Sequence, residues 1–120
     1  MKNILFYSPD LNLLSNLMMY FNDRYSVTTT TNLSTLSRIV SSKEFDLLIL
    51  DAEPTEKVEK ICEEIKTSEN PVPVILTYVF TSQLKNMDHR IRRVIDAIFY
   101  KPIDLKEVTE KISNMLAPAG

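Results

Sequence analysis

The run Phe45-Asp46-Leu47-Leu48-Ile49-Leu50-Asp51 is the most hydrophobic strand-like segment of this sequence, and it ends in an aspartate. Its apolar residues are nearly continuous rather than alternating, which is typical of a parallel strand covered on both faces. In open α/β sheets, sites form at the carboxyl edge of such strands. A second apolar run, 97–100, ends in Lys101-Pro102. The fold can therefore bring a cation to the Asp51 carboxylate.

The segments around this run predict a regular alternation of strands and helices. Apolar runs at 4–7 and 72–79 are further buried strands, and the β-branched run 25–30 suits an edge strand. Helical spacing separates them, beginning with Leu11, Leu14, Met18 and Phe21 after a Ser8 cap. Five strand–helix units predict one α/β domain over residues 1–116, a three-layer αβα sandwich with right-handed crossovers. Residues 117–120 are expected to be a frayed tail or the start of a linker.

Composition excludes several classes of protein. The formal net charge of -2 argues against a general nucleic-acid surface. No apolar run approaches the roughly 18 residues of a membrane span, and no signal peptide precedes the first strand. The single cysteine, Cys62, fits a reducing cytoplasm and a core position. Because Gly120 is the only glycine, glycine-rich phosphate loops and dinucleotide fingerprints are excluded.

The strand ends together resemble the receiver domain of bacterial response regulators, over essentially the full length of the chain. Asp51 matches the phosphoacceptor of that family, and Thr77, after Pro73-Val74-Ile75-Leu76, matches the switch hydroxyl. Lys101 matches the phosphate-binding cation, and Pro102 its following cis-proline. The resemblance implies a flavodoxin-like (CheY-like) parallel sheet of order 2-1-3-4-5.

The resemblance also implies a function. The domain would be a cytoplasmic phosphorelay component rather than an enzyme, and it would contact neither nucleic acid nor membrane. Its partners would be a sensor histidine kinase or phosphotransfer protein, and an output domain or a second copy bound through helix 4, strand 5 and helix 5. Phosphorylation of Asp51 would add roughly -1.5 to -2 charge. Lys101 would offset that charge, and Thr77 would move to bond a phosphoryl oxygen.

The implied metal is Mg²⁺, and here the sequence departs from the family pattern. Its ligands would be Asp51, the backbone carbonyl of Glu53 and, as a further candidate, Asp10. The acidic pair that normally ends strand 1 is replaced by Ser8-Pro9, although Mg²⁺ usually binds through one or two carboxylates. Ile98 stands where switching receivers often have an aromatic residue. These departures predict a degenerate Mg²⁺ site and a domain that is phosphorylated weakly or signals without phosphorylation.

Two other interpretations of Asp51 stay open on the sequence. The segment Asp51-Ala52-Glu53-Pro54-Thr55 faintly resembles the nucleophile motif of haloacid-dehalogenase-type phosphatases, with Lys101 as the accompanying lysine. Alternatively, Asp51 and Lys101 form a structural ion pair in a scaffold or dimerisation module that has no chemistry.

Some residues outside the site also carry expectations. A basic stretch on the fourth helix predicts either a solvated face or a contact with an acidic partner. Its residues are Lys85, Arg90, Arg92 and Arg93. Tyr78 follows Thr77 and is expected to crowd the phosphate site. Met18 and Met19 are expected to lie in or near the core.

Overall fold

The computed structural model describes residues 1–42 and 44–117. The strands are β1 (Asn3–Tyr7), β2 (Ser26–Thr30), β3 (Leu47–Asp51), β4 (Val74–Tyr78) and β5 (Ala97–Tyr100). The helices are α1 (Leu11–Phe21), α2 (Leu36–Val40), α3 (Glu56–Lys66), α4 (Lys85–Ile91) and α5 (Leu105–Met115), with short 3-10 turns before α2 and α4. Apart from Ala117, the predicted tail lies outside the described residues. No helix in the described part of the chain is long and apolar enough to cross a membrane.

The five strands form one parallel sheet in the order β2-β1-β3-β4-β5, as predicted. The most hydrophobic strand, β3, is central and buried along its whole length. The more polar strand β2 lies at an edge, where the β-branched run placed it. Since all strands are parallel, their carboxyl ends meet at one edge of the sheet.

Helices cover both faces of the sheet and divide the core into two clusters. Alternate side chains of β1, β3 and β4 pack with α2, α3 and α4 on one face. The intervening side chains pack with α1 and α5 on the other. Cys62 of α3 is fully buried in the first cluster, as expected. The three-layer αβα sandwich is therefore confirmed.

Helix α1 turns a different face to the core from the one expected. It buries Leu14, Leu17 and Phe21, while Leu11 and Met18 are exposed. Both sets fit helical spacing, because α1 is apolar on more than one side. Packing against the sheet selects between them. Met19 is 77% exposed, so the expectation that both methionines lie in or near the core was wrong for Met19, while Met18 is 38% exposed.

Candidate functional site

Asp51 lies at the carboxyl end of β3, and its buried carboxylate accepts hydrogen bonds from three side chains. Oδ2 accepts from the hydroxyl of Ser8 at 2.6 Å. Oδ1 accepts from the hydroxyl of Thr77 at 3.0 Å and from the ammonium of Lys101 at 3.1 Å, and Lys101 is also 3.4 Å from Oδ2. The strand ends predicted that Asp51 and Lys101 lie close together, and the resemblance added Thr77; the structure brings all three side chains together.

Strand register produces this convergence. Asp51 is the direct neighbour of Thr77 across the β3–β4 pair, so both side chains leave the sheet on the same face. The backbone N–H of Lys101 donates to Tyr78 at 2.8 Å, which continues the β4–β5 pairing to the sheet edge. The Lys101–Pro102 peptide bond is cis, as the resemblance implied.

The ion pair between Asp51 and Lys101 leaves the pocket without net charge from these two residues. The Lys101 side chain is 31% exposed and that of Asp51 is 7% exposed, so the pair lies at the rim of the core. The Asp51 charge also acts on its surroundings. Burial, and after it the nearby Asp51 carboxylate, raise the pKa of the Tyr7 phenol above its usual range.

The resemblance placed Ser8 at this edge of the sheet, but its hydrogen bond to Asp51 was not predicted. Ser8 is fully buried after β1, and while its hydroxyl donates to Asp51 it accepts from the backbone N–H of Asp10 at 3.0 Å. The expectation that Ser8 caps α1 was wrong. Asp10 is the N-cap, and its Oδ1 accepts from the N–H groups of Asn12 and Leu13. Ser8 thus lies directly after β1 at the carboxyl edge of the sheet and binds Asp51 there.

The side chains here match the ligand preferences of Mg²⁺ poorly. The side chains bonded to Asp51, those of Ser8, Thr77 and Lys101, include no second carboxylate. The side chain of Asp10 caps α1, and Glu53 is exposed. Among the described residues, no three His, Cys, Asp or Glu side chains group together in a way that could hold a metal ion. Mg²⁺ usually binds through one or two carboxylates with near-octahedral oxygen ligation. The metal set of Asp51, Glu53 and Asp10 stays a prediction.

A second buried carboxylate, Asp88 of α4, lies on the opposite face of β4. The hydroxyl of Tyr78 donates to its Oδ2, and that of Tyr100 donates to the same oxygen at 2.8 Å. Arg92 donates to Oδ1 at 3.1 Å and to the Tyr100 hydroxyl at 3.0 Å. Tyr78 therefore points away from Asp51, and the expectation that it crowds that site was wrong. We call these four residues the Asp88 cluster.

The Asp88 cluster shifts the titration of its members. Burial and the hydrogen bond to Asp88 raise the pKa of Tyr78 far above its usual range. Burial alone would raise the pKa of Asp88, but the hydrogen bonds from Tyr78, Tyr100 and Arg92 outweigh it and lower that pKa. The cluster is thus an ionised carboxylate held by neutral phenols and one guanidinium. The only sequence signal for it is the four-residue spacing of Asp88 and Arg92 on a helix.

Glu59 of α3 binds the remaining arginines of the basic stretch. Its nearly buried carboxylate is 2.7 Å from Arg90 and 3.1 Å from Arg93. Burial would raise the pKa of Glu59, but hydrogen bonds from both arginines outweigh it and lower the pKa. All three arginines at 90, 92 and 93 are therefore paired within the domain. The stretch is less free to bind an acidic partner than its sequence suggested.

Solved structures with the same architecture include receiver domains and a pilus assembly protein. A signal receiver domain of a response regulator from Bacteroides fragilis has a TM-score of 0.80 at 18% identity, covering 99% of both chains. A protein assigned to pilus assembly (CpaE) from Burkholderia thailandensis has a TM-score of 0.78 at 21% identity, covering 98% of this chain and 100% of that one.

A third structure was crystallised with a phosphotransfer partner. It is the receiver domain of a Saccharomyces cerevisiae response regulator bound to a histidine phosphotransfer signalling protein, with a TM-score of 0.76 at 16% identity, covering 95% of this chain and 88% of that one. No protein-family model and no curated protein matches the sequence. At these identities the comparisons concern the fold: the chain has the fold of the response regulator receiver domains.

Proposed function

We propose that this chain is a receiver domain of two-component signalling that acts through protein contacts and does not depend on phosphorylation of Asp51. One observation carries the proposal. The Asp51 carboxylate is buried and bound by Ser8, Thr77 and Lys101, with the serine hydroxyl in place of an acidic metal ligand. The fold and the position of Asp51 support the receiver part of the proposal. The donor set around Asp51 supports independence from phosphorylation.

Charge balance at Asp51 disfavours phosphoryl transfer. Such transfer relies on metal ions to neutralise the charge that develops on the phosphoryl group. Of the described residues, Lys101 alone pairs with Asp51, and the two charges cancel. A divalent cation would thus meet no net negative charge from this pair. It would also have to displace the 2.6 Å bond from Ser8 to reach Oδ2.

Helix α4 is anchored on both sides, which limits what a change at Thr77 could move. Asp88 ties α4 to β4 and β5 through Tyr78 and Tyr100. Glu59 of α3 ties the carboxyl-terminal end of α4 to α3 through Arg90 and Arg93. Switching receivers need a surface with two arrangements of similar free energy. The buried carboxylates of Asp88 and Glu59 each have several donors and favour a single position of α4. These hydrogen bonds therefore support a signalling surface that does not change.

The surface offered to a partner includes apolar side chains next to the Asp88 cluster. Val79 and Phe80, directly after β4, are exposed, and Tyr100 of β5 is partly exposed. The rings of Phe80 and Tyr100 lie 5.2 Å apart between centroids. Exposed aromatic side chains are enriched at protein interfaces. We place the contact with an output domain, a second copy, or an upstream kinase or phosphotransfer protein on this α4–β5 surface.

The test is intact mass after incubation with acetyl phosphate and Mg²⁺, with wild type and Asp51→Asn treated side by side. We expect no phosphoryl adduct on either protein. An adduct on wild type that is absent from Asp51→Asn would show that Asp51 still accepts a phosphoryl group, and would refute independence from phosphorylation while leaving the receiver assignment intact.

A Ser8→Asp variant is the matched positive control. It replaces the hydroxyl that donates to Asp51 with a carboxylate, so the site gains a negative charge and a metal ligand. We expect this variant to bind Mg²⁺ more tightly than wild type and to acquire an adduct under the same conditions. Ser8→Ala, which removes the bond to Asp51 but adds no charge, should acquire none.

The phosphatase interpretation receives little support from the local geometry. Thr55, which would complete its motif, is the N-cap of α3, and its hydroxyl accepts from the N–H of Val58 at 3.1 Å. Glu53, in place of the second acidic residue, is exposed. A signalling role rather than a catalytic one also accords with the receiver domains that share the fold. The scaffold alternative differs from our proposal only in lacking an upstream signalling partner.

A further inference from the structure

A cavity of about 260 Å³ opens at the amino end of β4, at the edge of the sheet opposite to Asp51. Its apolar wall consists mainly of Cys62, Val72, Val74, Val94 and Ile95. All of these are buried except Ile95, which is half-buried. An apolar cavity of about 150 Å³ already holds benzene, and drug-sized ligands need roughly 300–1,000 Å³. The cavity is therefore large enough for an organic molecule slightly larger than benzene.

Two opposite charges line the same cavity without pairing. They belong to Lys66 of α3 and to Asp96, directly before β5. In the part of the chain that the structure describes, no ion pair joins them to each other or to any other residue. The Lys66 ammonium donates to the backbone carbonyl of Arg93, and Oδ2 of Asp96 accepts from the N–H of Val74 at 2.8 Å. These bonds hold both groups beside the cavity, while further ammonium N–H groups and the second carboxylate oxygen can bind a ligand.

The backbone that lines the cavity also has polar groups for a ligand. Val72 lies between Pro71 and Pro73, neither of which has an N–H. Across residues 1–42 and 44–117, no backbone hydrogen bond involves the N–H or C=O of Val72 or Ile95. Backbone groups of a buried residue normally have partners, and Val72 is buried. A bound molecule with its own donors and acceptors would supply them.

We infer that this cavity binds a free α-amino acid with an aliphatic side chain, such as leucine or valine. Its carboxylate pairs with Lys66, its ammonium pairs with Asp96, and its side chain packs on the apolar wall. A zwitterion supplies one partner for each unpaired charge, whereas a simple carboxylic acid or amine leaves one charge unmatched.

The apolar wall and the position of the cavity accord with this ligand. Burial raises the pKa of Cys62 to about 12, so the thiol stays neutral and the wall is uncharged at physiological pH. Lys66 already ties α3 to the end of α4 through the Arg93 carbonyl, so a ligand between Lys66 and Asp96 would join α3 to the start of β5. Because Asp51 lies at the other edge of the sheet, binding does not rest on the function proposed for that residue.

Isothermal titration calorimetry of the wild-type protein with L-leucine tests the inference. Saturable binding is expected, with a Kd in the millimolar range or tighter, as befits a ligand of this size. Two analogues divide the zwitterion: 4-methylpentanoate lacks the ammonium, and 3-methylbutylamine lacks the carboxylate. Each should bind at least tenfold more weakly than leucine, and so should glycine, which lacks the aliphatic side chain. No saturable binding of leucine or valine up to tens of millimolar would overturn the inference, and so would equal binding of 4-methylpentanoate.

Variants and amide chemical shifts test the location of the site. Lys66→Met and Asp96→Asn should each weaken leucine binding at least tenfold, and the asparagine keeps an oxygen for the N–H of Val74. Lys60→Met is the matched control, because Lys60 is exposed on α3 but does not line the cavity, and it should bind as wild type does. Circular dichroism should show all variants folded. In wild type, leucine should shift the amide resonances of Val72 and Ile95. Binding that neither substitution weakens, or shifts confined to other parts of the domain, would overturn the inference.

Discussion

Replacing Asp88 by alanine removes the acceptor on which two tyrosines and one arginine converge. A hydrogen bond to a charged group contributes about 1.5–3 kcal/mol, and a buried donor left without a partner costs about 1–3 kcal/mol. Tyr78 is 2% exposed, so its hydroxyl cannot turn to water, whereas Tyr100 and Arg92 are exposed enough to be solvated. The bond to Tyr78 therefore dominates. We expect Asp88→Ala to lower the free energy of unfolding by about 3 kcal/mol.

A double-mutant cycle measured by urea unfolding tests this account. Tyr78→Phe alone should cost about 2 kcal/mol, because it removes the bond that dominates the cluster. In the Asp88→Ala background the same change should cost nothing or stabilise, since it removes a buried donor that has no acceptor. The coupling energy is then about 2 kcal/mol, well above the roughly 0.5 kcal/mol scatter of independent sites. Additive costs would refute the proposed cluster. Asp23→Ala, at an exposed aspartate, is the control and should change stability by less than about 0.5 kcal/mol.

Three further outcomes follow from the same contacts. The pKa values of Asp88 and Glu59 are lowered in the folded protein, so on acidification the unfolded chain takes up protons first. The stabilisation from these carboxylates is therefore present at neutral pH and is lost as the pH falls through the lowered pKa values. Urea midpoints measured across the acid range should fall less steeply for Asp88→Asn than for wild type. Glu59→Gln should speed amide hydrogen exchange in α4 while leaving β3 unchanged, and equal protection of α4 in both proteins would contradict its anchoring. Thr77→Val should lower the free energy of unfolding in urea by about 1–2 kcal/mol, because Asp51 loses one donor. The control Thr28→Val, at an exposed position of β2, should be near neutral. Equal effects of the two substitutions would argue against the Thr77–Asp51 bond.

The sequence predicted the sheet and the Asp51 site because both depend on strand ends. In a parallel sheet, residues that follow neighbouring strands must lie at one edge whatever the details of packing. Asp51 and Lys101 could thus be brought together without knowing any helix orientation, whereas Thr77 was assigned to the site only through the resemblance to receiver domains. The part played by Ser8 was missed because a serine before a helix has a common local use as a cap. Only the position of α1 in the structure shows that Asp10 is the N-cap and that the Ser8 hydroxyl can therefore bind Asp51.

The Asp88 cluster and the orientation of α1 could not be predicted from local patterns. The cluster needs Tyr78 and Tyr100 on the same face of the sheet and α4 rotated so that Asp88 points inward. Each condition depends on packing between elements far apart in sequence. For α1, apolar residues on more than one side make two core faces equally compatible with helical spacing. A pattern identifies the buried face only when the other face is polar.

The bonding of two consecutive residues of β4 connects the two carboxylate clusters. Thr77 bonds Asp51 on one face of the sheet, and Tyr78 bonds Asp88 on the other. Because neighbouring residues share a backbone, a movement of Thr77 would also disturb the phenol that holds α4. Asp88 therefore raises the cost of such a movement, and Ser8 supplies no carboxylate that could bind a metal ion beside Asp51. Both features accord with our proposal that the binding surface does not depend on phosphorylation of Asp51.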